Sequence, residues 1–165
     1  MLGLIQRVSH ARVDIGGETV GRIDRGILLL LGVQGEDVEH SADKLLHKVL
    51  HYRVFPDSDG KMNLNVQQAK GGLLIVPQFT LAANTGKGLR PSFTSAAPPN
   101  LAETLYDYFV NQAKQVYPTV ATGRFGADMQ VTLCNDGPVT FIIIMKVHTS
   151  ELQSRFDLVC RLLLE

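Results

Sequence analysis

Apolar and polar positions interleave through residues 2–15, where Leu4, Val8, Val13 and Ile15 sit among polar neighbours, and this pattern predicts a strand. Gly16-Gly17 marks a turn, and residues 18–24 read as its hairpin partner. Gly26 then opens the unbroken run Ile27-Leu28-Leu29-Leu30-Leu31, which suits a strand covered on both faces. Beyond it the period changes. Leu45, Leu46, Val49 and Leu50 fall on one side of a helix that Asp37 or Ser41 can cap and that runs to about Val54. Pro56-Asp57-Ser58-Asp59-Gly60 is a turn cluster, and Gly71-Gly72 leads into a second buried strand, Leu73-Leu74-Ile75-Val76, stopped by Pro77.

The stretch 82–99 holds Gly86, Gly88, Pro91, Pro98 and Pro99 and reads as a loop longer than most connections. Such loops are usually functional or disordered. Asn100, three residues before Glu103, resembles a capping box for a helix to about Val116. Strands at 128–134 and 139–147 flank the turn Asn135-Asp136-Gly137-Pro138. From Thr149 the chain changes character, and Ser150 with Gln153 can cap a short helix. The expected organisation is one domain over 1–147 and a C-terminal extension over 148–165. Strands and helices do not alternate strictly, so the fold class is expected to be α+β rather than a doubly wound sheet.

Composition narrows the class without naming a function. The chain has 165 residues, 45% hydrophobic and 19% charged, which is the make-up of one globular domain. Its formal net charge is zero, which argues against bulk capture of nucleic acid but leaves room for a local phosphate-binding patch. Cys134 and Cys160 both lie in apolar stretches and are expected to be buried, inert thiols. No apolar run approaches the ~20 residues of a membrane span, and no signal-peptide core follows Met1. The expectation is a cytoplasmic protein with no membrane partner.

Signatures of common chemistry are missing. His47 and His51 have the spacing of a zinc pair, yet Lys48 stands where a catalytic Glu would follow, and no third ligand is placed nearby. Ser41-Ala42-Asp43-Lys44 reads as the start of a helix, and Gly86-Lys87-Gly88 lacks the spacing of a phosphate-binding loop. No metal or cofactor is expected. Two segments stand out: Pro77-Gln78-Phe79-Thr80, where a buried strand ends in polar groups, and Asn135-Asp136-Gly137-Pro138. On the residues alone, both read as strand punctuation.

The chain resembles the D-aminoacyl-tRNA deacylases. The resemblance is carried by Leu4-Ile5-Gln6-Arg7-Val8, by 60–66, Gln78-Phe79-Thr80-Leu81-Ala82, Arg90-Pro91-Ser92-Phe93 and 123–129, and by Asn135-Asp136-Gly137-Pro138-Val139. It covers residues 1 to about 145, and the tail beyond has no counterpart in typical members. It implies mixed β-sheets forming a barrel-like core with two main flanking helices, in a homodimer with sites at the interface. The implied reaction hydrolyses the ester of a D-amino acid, or of glycine mischarged on tRNA for alanine, at the 3′ end of aminoacyl-tRNA. Backbone N–H groups around Phe79 and Thr80 would hold the ester carbonyl oxygen, with Gln78 orienting the loop and Thr80 playing no covalent part. Phe125 and Met129 would contact the adenosine. Gly137 and Pro138, joined by a cis bond, would enter the partner's site and admit only the D form, braced by Arg7. The family's serine before the glutamine is Pro77 here, as in animal paralogues of relaxed chirality, but the Gly137-Pro138 segment keeps its pattern and D-preference is expected. The weighed alternative is a non-catalytic nucleic-acid-binding module akin to replication-associated animal relatives. Zero net charge disfavours it, and no DNA partner is expected.

Overall fold

The computed structural model describes residues 1–146. Strand β1 (Leu2–Ile15) is the spine: β8 (Gln130–Ile144) pairs along one side of it, and β3 (Gly26–Gly32) then β2 (Glu18–Ile23) along the other. All three pair with it antiparallel, whereas β6 (Gly72–Pro77) lies parallel to β3, and β7 (Val120–Thr122) parallel to β6. The mixed sheet curls until its ends nearly meet. Gly21 of β2 lies so close to the Thr122 carbonyl of β7 that any side chain there would collide with it. A small pair, β4 (Phe55–Pro56) and β5 (Met62–Leu64), stands apart from this sheet. The result is an α+β, nearly closed barrel-like sheet with two helices, α1 (Glu39–His51) and α2 (Pro99–Val116).

Both faces of the central strands are covered, which explains their unbroken apolar runs. On β3, Ile27, Leu29 and Leu31 point to the core under the helices, while Leu28 joins Val8, Val13, Ile23, Leu74 and Val76 inside the barrel. β6 divides the same way, with Leu73 and Ile75 on the helix side. At ~25 cal/mol per Å² of apolar area, each fully buried Leu or Ile contributes about 2 kcal/mol. The helices add their own stripes, Leu45, Val49 and Leu50 from α1 and Leu105, Phe109 and Ala113 from α2.

Several local expectations are corrected. Neither Asp37 nor Ser41 is the cap of α1: Val38 occupies that position, and the Ser41 hydroxyl accepts from the Val38 N–H at 3.2 Å. Asp37 is taken up elsewhere, accepting from the N-terminal ammonium at 2.5 Å and the Gln34 N–H at 2.7 Å. The helix ends at His51, because Tyr52 is already extended. For α2, Pro98 is the cap and Pro99 the first helical residue, so Asn100 lies inside the first turn. Strand β7 and the β4–β5 pair were not anticipated, being too short to show a period.

The largest correction concerns residues 128–147. The expected two strands and turn are one strand, β8, because both flanks continue along β1 in the same direction. Gln6 pairs with Thr140 and Val8 with Asn135, so Asp136 to Val139 bulge out opposite the single residue Arg7. Cys134, expected to be buried, is exposed, since β8 turns alternate side chains outward there. The expected C-terminal helix and Cys160 lie outside the described residues.

Candidate active site

Proline ends β6 because it can donate no further ladder bond, and the chain turns directly into a single 3-10 turn, Phe79–Ala82. The Gln78 N–H still bonds the Leu31 carbonyl at 2.8 Å, and the Leu81 and Ala83 N–H groups bond the carbonyls of Gln78 and Thr80. The N–H groups of Phe79 and Thr80 have no acceptor among the described residues, as the first donors of a helical turn have none within it. The Gln78 side-chain amide donates to the Thr80 hydroxyl, tying the turn's two polar side chains together.

Beside this turn lies a cavity of about 480 Å³, within the range of small-ligand sites. Gln78 and Phe79 form one wall, and Phe125 and Met129, from the connection between β7 and β8, form another. No side chain lining it titrates. Met129 is held close by Gly123, where an added Cβ would fall 2.7 Å from the Met129 sulfur. Phe125 rests on Tyr106 with ring centroids 6.1 Å apart. The Tyr106 hydroxyl donates to the Ile75 carbonyl at 3.1 Å, and burial pushes its pKa far above the ordinary phenol value. It is therefore a fixed, neutral donor. Tyr106 carries no signal in the sequence that would separate it from other core positions of α2.

The second segment is built differently. In the β8 bulge the Asn135 side chain takes over the ladder's role, accepting from the Val139 N–H at 3.0 Å and donating to the Thr140 hydroxyl at 2.8 Å. The Gly137–Pro138 bond is cis, and Gly137 sits at φ +134°, a region that L side chains rarely adopt. Arg7 reaches across from β1: its Nε donates to the Asp136 carbonyl at 3.0 Å and its Nη1 to the Val54 carbonyl at 2.7 Å. The Asp136 carboxylate stands 3.4 Å from the same Nε. Because the strand register skips Asp136 to Val139, the carbonyls of Gly137 and Pro138 have no ladder partner.

The fold brings Gln78, Phe79, Phe125 and Met129 to one cavity, with Thr80 beside it, and gathers Arg7, Gly137 and Pro138 at the bulge. It does not bring the two groups together. Arg7 is level with Ile27 and Leu73, four residues before Pro77, and three strand spacings separate β8 from β6. Along the sheet this is a separation of roughly 20 Å.

The family model for D-Tyr-tRNA(Tyr) deacylase matches residues 4–144. This chain belongs to the D-Tyr-tRNA(Tyr) deacylase family. As a member of that family it is a hydrolase. Among curated relatives, the D-aminoacyl-tRNA deacylase of Pseudomonas fluorescens (strain Pf0-1) is 62% identical over 143 residues, covering 87% of this chain and 99% of its own. That of Pseudoalteromonas translucida (strain TAC 125) is 63% identical over 141 residues, covering 86% and 97%. A solved structure named c-Myc DNA unwinding element binding protein is 39% identical with a TM-score of 0.85, covering 89% of this chain and all of that one (100%). A probable eukaryotic D-amino acid tRNA deacylase, 16% identical with a TM-score of 0.73 over 86% of this chain and 97% of its own, shares the family's fold. On α1, away from this cavity's lining, His47 and His51 stack with ring centroids 4.2 Å apart, and His51 Nδ1 bonds the His47 carbonyl.

Proposed function

We propose that this protein, as a cytoplasmic homodimer, hydrolyses the ester joining a D-amino acid to the 3′ adenosine of tRNA, releasing the free amino acid and tRNA. It would also clear glycine mischarged on tRNA for alanine. The observation that carries this reading is two backbone sets without partners among the described residues, N–H donors at Phe79 and Thr80 and C=O acceptors at Gly137 and Pro138, about 20 Å apart along the sheet of one chain. An aminoacyl ester has both complements, a carbonyl oxygen that becomes an oxyanion and an ammonium that donates. Its atoms span only a few ångströms, so the acceptors must come from a second copy.

A second copy also answers the exposed face of β8. Ile142 and Ile144 are 70% and 52% exposed on a strand whose outer edge has no ladder partner among the described residues. Such an edge is a template for association. With the partner's bulge in place, the ester carbonyl oxygen sits on the Phe79 and Thr80 N–H groups, and the adenosine lies against Phe125 and Met129. Water adds to the ester carbon, and the charge that develops on its oxygen meets donors already in position. One such donor contributes about 3–4 kcal/mol to the transition state. As the family resemblance implies, the substrate's own 2′-hydroxyl accepts a proton from the attacking water while passing its own to the departing 3′ oxygen, so the bond to that oxygen breaks with no charged hydroxyl left behind. Thr80 positions through its bond with Gln78 and forms no covalent intermediate.

With the ammonium fixed on two carbonyls, a D side chain points to open space and an L side chain meets the bulge. Selection is by exclusion. Glycine has nothing to collide, which extends activity to glycyl esters. The test is hydrolysis of D-Tyr-tRNA against L-Tyr-tRNA, with light scattering for mass. Fast release from the D ester by a dimer is expected. Comparable rates on both esters, or full activity in a monomer, would overturn the reading. Inactivity on both, with tight binding of duplex DNA, would favour the nucleic-acid-binding alternative suggested by the printed name of the 39% identical structure.

A further inference from the structure

We propose that Phe79 and Phe93 form a stacking platform for the nucleotide preceding the terminal adenosine, with Lys87 and Arg90 taking its flanking phosphates. This rests on the function proposed above. Phe79 is 57% exposed and Phe93 42%, and their rings lean on each other with centroids 5.2 Å apart. Two neighbouring phenylalanines left in solvent form a small apolar platform with one edge in the cavity, because Phe79 also lines it. Phe79 both lines the cavity and stands exposed beside it, so a strand whose last nucleoside fills the cavity can leave across this platform.

The loop beside the platform supplies the charge. Asn84 and Ser92 exchange backbone hydrogen bonds at 2.7 and 3.0 Å, closing residues 84–92 into a loop whose base adjoins Phe93. The Asn84 side chain accepts from the Gly86 N–H at 2.9 Å, tightening its first turn. Lys87, Leu89 and Arg90 are exposed on that loop. No Asp or Glu occurs between Asp59 and Glu103, although the whole chain has sixteen, so the loop itself carries no acid; Glu36 and Asp37 approach from the other side, beside Thr94 and Ser95. Lys87 and Arg90 have no ion-pair partner among the described residues. Aromatic faces bordered by unpaired cations fit single-stranded nucleic acid, whose bases stack while its phosphates seek charge. A chain of zero net charge thus carries a basic segment with no acid of its own beside the cavity.

The first test uses an RNA hairpin with a single-stranded 3′ end carrying 2-aminopurine at the penultimate position. Binding should quench its fluorescence, Phe93→Ala should abolish the quench, and Phe93→Tyr should keep it. The second compares D-Tyr-tRNA with the D-tyrosyl ester of adenosine alone. Phe93→Ala should raise KM about tenfold on the tRNA, leave kcat in place, and leave the adenosine ester unaffected. Lys87→Ala with Arg90→Ala should lower the slope of log affinity against log salt by about 1.4. An unquenched wild-type complex, a quench that survives Phe93→Ala, or equal losses on both substrates would overturn the proposal. So would a change from dimer to monomer in Phe93→Ala, which would mean that a second copy covers the platform. Quenching without hydrolysis of either ester would leave the platform standing and remove the proposed function instead.

Discussion

The end of β6 and the bulge of β8 are both places where a ladder stops, yet they expose opposite halves of the peptide group. At Phe79 and Thr80 the free groups are N–H donors, set by a proline that ends the strand and a turn too short to use its first amides. At Gly137 and Pro138 they are carbonyls, set by four residues facing one across the ladder. Support differs as well. The β6 end has an apolar cavity wall and one amide–hydroxyl bond, whereas the bulge is held by an arginine spanning two carbonyls and a carboxylate. Donors can be aimed by local backbone geometry, while acceptors on an exposed bulge need a long-range brace.

The acceptor side should therefore be the more fragile. Gly137→Ala places a Cβ 2.7 Å from a Val139 methyl and 3.2 Å from the Arg7 guanidinium, at a φ of +134°. The strain of such a residue is about 1–3 kcal/mol. We expect a loss of at least about a hundredfold in kcat/KM on D-Tyr-tRNA, a size typical of small misplacements in a site, with the chain still folded by circular dichroism. Activity near wild type would show that the bulge does not touch substrate.

Arg7→Ala comes next. It leaves the buried Val54 carbonyl without its donor, and losing such a bond costs about 1–3 kcal/mol of stability in a denaturant titration. Activity should fall with it, and Arg7→Lys should restore part of the stability but not the two-carbonyl span. On the donor side, Thr80→Ala should cost only several-fold in kcat if, as proposed, its hydroxyl does no more than accept from the Gln78 amide. A covalent nucleophile's loss would cost orders of magnitude.

The smallest effect lies outside both regions. Asp57 accepts from the Asn63 side chain and from the amides of Lys61 and Asp59, which hold its pKa below the ordinary 3.8. Its contribution is complete above that value and is lost as pH falls through the lowered one. Asp57→Ala should leave activity intact and speed amide exchange at Asp59 and Lys61 at neutral pH only.

Legibility followed the range of the forces involved. Periodicity located β1, β3, β6 and both helices, because burial repeats along each element and the sequence records it directly. It misread 135–138 as a hairpin turn, because Asn, Asp, Gly and Pro favour turns and bulges alike, and only the pairing of both flanks with β1 separates the two. It also placed Cys134 inside, since alternation along β8 shows that faces differ but not which one meets the core.

Periodicity and local signals alone placed β1, β2, β3, β6 and both helices, the stop at Pro77, and the short motifs that mark the family. Those depend on near neighbours: backbone dihedrals, a missing N–H, the period of apolar residues. The folded chain was needed to show that Arg7 meets Asp136 and Val54, that Tyr106 lies beneath Phe125, and that the donor and acceptor segments stand apart. Those contacts join residues distant along the chain, and they exist only once a sheet register has been chosen.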